Sequence, residues 1–400
     1  MSSQIRLRLL PSARCLYDEP IQVKVSHLKS KQVVTIKASS ADEKGVVFRS
    51  SATYRADGDG EIDLVRDASL SGSYVGVEPM GLLRTLKPNT LNKLFIKDKA
   101  LEPHMVKFSV YDDEEQDKIL AEATNERLLM ADGVSRVSVK EGNFHGVLFT
   151  PPGKGPFPGV LDLCTFMSER RAALLANKGF VVLTIPVFPE RSSNLKMLHL
   201  DPFEEAIIFL QQQPKVGDPS IVALSLAAFV PGVEAVVWIN GCSANTALPL
   251  FYKKRQILPA LMLDSKKLIP TQSGAVIAKY GVPDPLKEEN RGTLVLIEQA
   301  NTHFLFVASE DDLTWDCRAF MIETMERLKR HGKKTFDSVS YPKAGHLEPP
   351  YGPFCPSSLN TLLKNTSLWG GESRSHAAAE VDMWKKIQEF LKSHVNKKIL

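Results

Sequence analysis

No Cys-x-x-Cys pair occurs in this 400-residue sequence, and its five cysteines, Cys15, Cys164, Cys242, Cys317 and Cys355, are scattered and odd in number. That excludes a disulfide framework and a zinc site of the usual spacing, and it fits a reducing compartment. No metal site and no cofactor are expected. Charge of one sign is also scarce: the formal net charge is +4, too small and dispersed for a nucleic-acid partner, though it favours an anionic substrate. The opening "MSSQIRLRLLPSARC" contains no continuous apolar run, so no secretory signal is expected there. Ile5, Leu7 and Leu9 alternate with polar residues, which predicts a first strand in preference to a transit peptide. The final "KKIL" is not the peroxisomal tripeptide. One stretch, Ile221 to Ile239, approaches the length of a membrane span. Pro231, Gly232 and Glu234 interrupt it, so a short helix followed by a buried strand is expected. These features together predict a soluble protein with no membrane span, placed in the cytoplasm ahead of the mitochondrion or peroxisome.

Hydrophobic residues make up 43% and charged residues 24% of the chain, ordinary values for a globular protein. The length suits two domains. Residues 1–135 read as β structure. "IQVKV", "VVTIKAS" and "VKFSVYDD" alternate apolar and polar residues, and "YRADGDGEIDL" sets Asp-Gly twice between two such runs, a hairpin signal. An all-β sandwich is predicted there. Residues 136–400 change pattern. A hairpin is expected at Glu141-Gly142-Asn143. Then strands such as "FVVLTIPV" and "HFLFVAS" alternate with helices such as "DPFEEAIIFLQQQ", where Asp201 is expected as N-cap and Pro202 in the first turn. Such alternation predicts a mostly parallel sheet covered on both faces.

Reactive groups in such sheets sit beyond the carboxyl ends of the strands. "FVASEDDLTW" carries Asp311 and Asp312 after one strand, and "SYPKAGHLEPPYGP" carries His346 after the next. An acid followed by a late histidine is the chain order of hydrolases whose nucleophile precedes both. The imidazole takes a proton from the nucleophile, and the carboxylate holds its tautomer. On spacing alone the two aspartates also suit a helix cap, and the histidine also suits an ordinary loop.

"FLFVASEDD", "YPKAGHLEPPY", "WGGESRSHAAAEVDMWKKIQEFL", "LHLDPFEEAIIFL" and "VVWINGCSAN" resemble the acyl-coenzyme A thioesterases and bile acid-CoA:amino acid N-acyltransferases. The resemblance covers nearly the whole chain. It implies an immunoglobulin-like β-sandwich ahead of an α/β-hydrolase domain. It also implies a Ser or Cys that accepts an acyl group from coenzyme A and passes it to water or to an amino acid. By matching motifs, Asp312 is implied as the acid and His346 as the base.

The nucleophile itself is lacking. The family pattern needs a strand ending in G-x-S/C-x-G. Here "LHLDPFEEAIIFLQQQPKV" matches the helix before that strand, and "ALSLAAFVPGVEAVVWING" the helix after it and the strand beyond. Only "GDPSIV" lies between them. About ten residues of the pattern, the strand and its elbow, are expected to be missing, as a splicing or gene-model event would leave it. Asp218 and Pro219 read as a helix cap and first turn. Ser220, Ser225 and Cys242 lack the elbow context and read as structural. The loop "DLCTFMSERR", where an oxyanion donor is implied, has no glycine, and its Cys164 reads as a small buried hydrophobe. Joining two helices directly would strip neighbouring strands of ladder partners, at about 1–3 kcal/mol for each buried unpaired group.

The expectation is therefore a family member that hydrolyses fatty acyl-CoA to free fatty acid and CoA by descent, severely impaired as written. Alternatives are a non-catalytic homologue that binds acyl-CoA or a partner enzyme, an amino acid N-acyltransferase, and an incomplete product that does not fold. Acyl chain length, the acceptor and the oligomeric state are not legible.

Overall fold

The computed structural model describes residues 4–114, 118–188, 195–221 and 224–395. The chain divides into two compact units, Met1–Ala131 with Pro349–Cys355, and Asp132–Glu348 with Pro356–Leu400.

Among its described residues the first unit is all β apart from the short helix Gly81–Arg84. Its larger sheet has the antiparallel strands Val33–Ala41, Val47–Arg55, His104–Asp112 and Ile119–Leu128 at its centre. The smaller sheet joins Arg6–Leu10, Gln22–Ser26 and Ile62–Asp63. The alternation read in the sequence is the burial pattern. Val34, Ile36 and Ala38 are buried along one strand, Phe48, Ala52 and Tyr54 along the next. They join one core with Val23, Val25, Phe108 and Val110. The strand expected from Ile5, Leu7 and Leu9 is present. The hairpin expected at "YRADGDGEIDL" is not. The Asp57 carboxylate takes the amides of Asp59 and Glu61, so the turn forms. The strands it connects, however, lie in different sheets. A sandwich must pass its chain from sheet to sheet, and an Asp-Gly turn serves that crossing as well as a hairpin.

In the second unit an eight-stranded sheet organises the fold. Its strands, in chain order, are β1 (Ser135–Glu141), β2 (Phe144–Thr150), β3 (Phe157–Cys164), β4 (Val181–Pro186), β5 (Val216–Ile221), β6 (Ala235–Ile239), β7 (His303–Ser309) and β8 (Phe336–Tyr341). Their order in the sheet is β1-β2-β4-β3-β5-β6-β7-β8. β1 and β2 form the expected hairpin, with Glu141 opposite Phe144. From β4 through β8 every pairing is parallel. Helices α1 (Arg170–Ala176), α2 (Asp201–Gln211), α3 (Leu224–Phe229), α4 (Cys317–Arg330) and α5 (Ser373–Val395) accompany it. All six residues of β4 are buried, as a strand covered on both faces requires. The core joins Leu161, Leu183, Val236, Phe304 and Phe306 of the sheet to Ala206, Leu210, Phe320 and Leu328 of α2 and α4.

One local expectation is corrected. Leu200, not Asp201, is the N-cap of α2. The Asp201 carboxylate instead accepts the amide of Lys253 at 3.1 Å.

The larger correction concerns the missing strand. "VGDPSI" is not a loop between helices: it forms β5, in the middle of the sheet. Gly159, Val160 and Leu161 of β3 pair with Pro219, Ser220 and Ile221, after a register shift that follows the Phe157–Val216 pair. Asp218 and Pro219 therefore lie in a strand, not at a helix start. Gly, Asp and Pro are poor strand formers, yet a gap between β3 and β6 would leave two rows of buried backbone groups unpaired. The ladder's demand overrides local propensity. The replacement is partial: β5 meets β6 through a single pair, Ile221 with Val236.

Candidate active site

Asp312 and His346 leave the carboxyl ends of β7 and β8, which are neighbours in the sheet. His346 Nδ1 lies 2.9 Å from Asp312 Oδ2. The Asp312 side chain is fully buried, whereas that of His346 is 34% exposed. A carboxylate only accepts, so the contact places the imidazole proton on Nδ1 and leaves Nε2 as the basic nitrogen. Nε2 has no hydrogen-bond partner among the described residues.

Local turns hold the acid. Asp312 Oδ1 accepts the amides of Thr314 and Trp315 at 2.7 and 3.1 Å, and the Cys317 thiol approaches Oδ2 at 3.4 Å. The neighbouring aspartate does different work. Asp311 takes the amide of Gly371 through Oδ2 at 2.9 Å, and the cap of α4 is supplied by Asp316. Of the two acids, Asp312 is the one brought to the histidine. Burial opposes charge on His346, but the attraction and hydrogen bond of Asp312 outweigh it and hold its pKa above the ordinary imidazole value.

The histidine loop is fastened at several points. The His346 amide donates to Trp369 O at 3.0 Å. The Gly345 amide donates to His376 Nδ1 at 3.1 Å, and the Glu348 amide reaches Glu380 Oε1 at 3.3 Å. Asn240, at the end of β6, accepts the Ser309 amide at 2.9 Å and lies 3.5 Å from Gly345 O. Gly345 itself is required by space, because a side chain there would fall on the carbonyl of Gly370. These supports escaped the sequence reading. The spacing of His376 and Glu380, one helical turn apart in "SHAAAE", was the available signal.

At the nucleophile position the described residues give no counterpart. β5 ends at Ile221 and α3 begins at Leu224. Between them the sequence has Val222 and Ala223, which lie outside the described residues and carry no nucleophilic atom. Ser220 falls within β5 opposite Val160, and Ser225 within α3; their side chains lie outside the described residues. Cys242 follows β6, and burial pushes its thiol up to about 12. Burial, with Asp162 nearby, also raises the Cys164 thiol, which contacts Ile185 O at 3.4 Å. Neither thiol is a thiolate at neutral pH. After β3, Arg171 Nε pairs with the buried Asp162 at 2.5 Å and Nη2 donates to Leu163 O at 2.8 Å.

A largely parallel sheet of this strand order, with acid and histidine following its last two strands, defines an α/β-hydrolase. Comparison with known sequences specifies the family. Residues 18–141 match the family described as "Acyl-CoA thioester hydrolase/BAAT N-terminal region", and residues 198–397 match "BAAT / Acyl-CoA thioester hydrolase C terminal". Human acyl-coenzyme A thioesterase 6 is 39% identical over 410 residues, covering 98% of this chain and 97% of its own. Mouse acyl-coenzyme A thioesterase 3 is 38% identical, covering 98% and 94%. Human acyl-coenzyme A thioesterase 1 is 37% identical, covering 97% and 96%. The chain belongs to the acyl-CoA thioesterase and bile acid-CoA:amino acid N-acyltransferase family. The first alignment, at 410 positions, is longer than the 400-residue chain, so that relative has residues with no counterpart here. No helix among the described residues is long and apolar enough to cross a membrane.

Proposed function

We propose that the chain is a cytoplasmic acyl-CoA-binding member of this family whose hydrolysis of fatty acyl-CoA to fatty acid and CoA is severely impaired. One observation carries the reading. The acid–base pair is assembled at 2.9 Å, while the sequence between β5 and α3 supplies only Val222 and Ala223, neither of which has a nucleophilic atom.

Asp312 orients His346 and stabilises its charged form, and Nε2 is the base that would take a proton. A covalent acyl-enzyme needs a hydroxyl or thiol within hydrogen-bond reach of that nitrogen. Acyl transfer to an amino acid needs the same intermediate, so the N-acyltransferase activity is lost with it. The reaction calls for no cofactor beyond the coenzyme A carried by the substrate itself, and neither nucleic acid nor a membrane span enters it.

The test pairs binding with turnover. A long-chain acyl-CoA and its non-hydrolysable thioether analogue are titrated into the purified chain by calorimetry, and thiol release is followed with a chromogenic disulfide. Saturable binding is expected, with release slower by a factor of about 10⁴–10⁶ than in a family member that has its nucleophile. Turnover at an ordinary enzymatic rate would overturn the impairment, and absence of binding would overturn the reading as a whole.

A further inference from the structure

Behind the candidate base lies a second histidine–acid pair. His376 and Glu380 sit on the first turns of α5, and both are nine-tenths or more buried. His376 Nε2 lies 3.1 Å from Glu380 Oε1, and His376 Nδ1 lies 3.1 Å from the Gly345 amide nitrogen. A backbone N–H only donates, so Nδ1 accepts and carries no proton. The proton is then on Nε2, directed to the carboxylate. Glu380 Oε1 also receives the Glu348 amide at 3.3 Å.

The two side chains thus hold the backbone on both sides of His346, at Gly345 before it and Glu348 after it. Between these points, the His346 amide is tied to Trp369 O at 3.0 Å. The fit is close: a side chain at Gly371 would come within 3.1 Å of His376 Nδ1 and within 2.6 Å of the Gly345 nitrogen. Burying a carboxylate is costly unless its lone pairs are used. Desolvation indeed raises the Glu380 pKa even though His376 works against it. Both members of this buried pair bond backbone on the loop of His346, and Arg170 adds its own attraction to Glu380.

We infer that His376, in its Nε2-protonated form held by Glu380, is a positioning residue that sets the loop of His346 and so the contact of His346 with Asp312. The inference rests on the assignment of His346 as the candidate base, but not on turnover. It predicts that the state of the His346 ring follows the acceptor at position 376. Asparagine places an amide oxygen near the site of Nδ1, so His376→Asn keeps an acceptor for Gly345, whereas His376→Leu removes it.

The experiment is nitrogen-15 NMR of the histidine rings in the full chain, titrated with pH, for the wild type, His376→Leu, His376→Asn and Glu380→Gln. The expected result for His376→Leu is loss of the downfield Nδ1 proton of His346 and a fall of its titration midpoint toward the ordinary imidazole value. His376→Asn should restore both, and Glu380→Gln should give an intermediate midpoint. An unchanged His346 midpoint in folded His376→Leu would overturn the inference. If His376→Leu does not fold, a His376→Asn variant whose His346 signals match an unpositioned imidazole overturns it equally. None of these readouts requires hydrolysis, so failure of the functional proposal and failure of this inference are told apart.

Discussion

Pro219 stands opposite Gly159 in the centre of the parallel sheet, a pair of two residues poorly suited to a ladder. Proline contributes no N–H, and glycine no side chain to pack. On its other side β5 reaches β6 only through Ile221 and Val236. The strand β4, by contrast, is matched along its whole length by β3 and along half of it by β2. Amides of Val216–Ile221 are therefore expected to exchange with deuterium at least ~10-fold faster than those of Val181–Ile185. Exchange followed by mass spectrometry decides it. Equal protection of the two strands would mean that β5 is as firmly held as an ordinary central strand.

That strand also marks where the sequence stops being legible. The alternating strands of the first unit, the buried β4 and the amphipathic α5 with Trp384 and Leu391 inside follow from periodicity, because their residues prefer the state that packing also demands. "VGDPSI" does not: Gly217, Asp218 and Pro219 prefer a turn, and the empty ladder position between β3 and β6 decides otherwise. The Asp57–Gly60 turn was legible as a turn but not as a passage between sheets, since a turn's chemistry does not record which strands it joins. Asp312 and His346 were legible through their position after strands and their family motifs. Their supports were not, because Asn240, His376 and Glu380 act by meeting residues 69 to 105 positions away or on another element.

A fluorophosphonate probe, which labels activated serines, should leave the chain unmodified under conditions that label a family member with its nucleophile elbow. Val222 and Ala223 give it nothing to react with, and the thiols of Cys164 and Cys242 are raised by burial. Intact-mass measurement reads the result. Stoichiometric labelling that maps to Ser220 or Ser225, and disappears in His346→Ala, would show that a neighbour has taken over the role.

Gly370 has φ of +76°, and a side chain there would fall on the carbonyl of Asp311. Gly345, Gly370 and Asp311 are thus stacked backbone on backbone, next in sequence to His346 and Asp312. Gly370→Ala is expected to cost about 2–4 kcal/mol, combining backbone strain with a clash that has no flexible side chain to absorb it. Gly58→Ala, with open space around its position, should be near neutral. Urea midpoints of the two variants test the comparison, and an equal effect at both positions would refute the stacking argument.

The ion pair itself carries a pH signature. The pKa of His346 is raised in the folded chain, burial being outweighed by Asp312. A raised histidine stabilises the fold fully below its unfolded value, ~6.5, and that contribution is lost as pH rises through the folded value. Asp312→Asn keeps an oxygen for the amides of Thr314 and Trp315 but removes the charge. The stability gap between wild type and Asp312→Asn should therefore be larger near pH 6 than near pH 9, by about 1 kcal/mol for a pair whose imidazole is partly exposed. Urea unfolding at the two pH values measures it. A gap that is flat with pH, or that widens toward pH 9, would mean that the charge of Asp312 does not raise the His346 pKa in the folded chain.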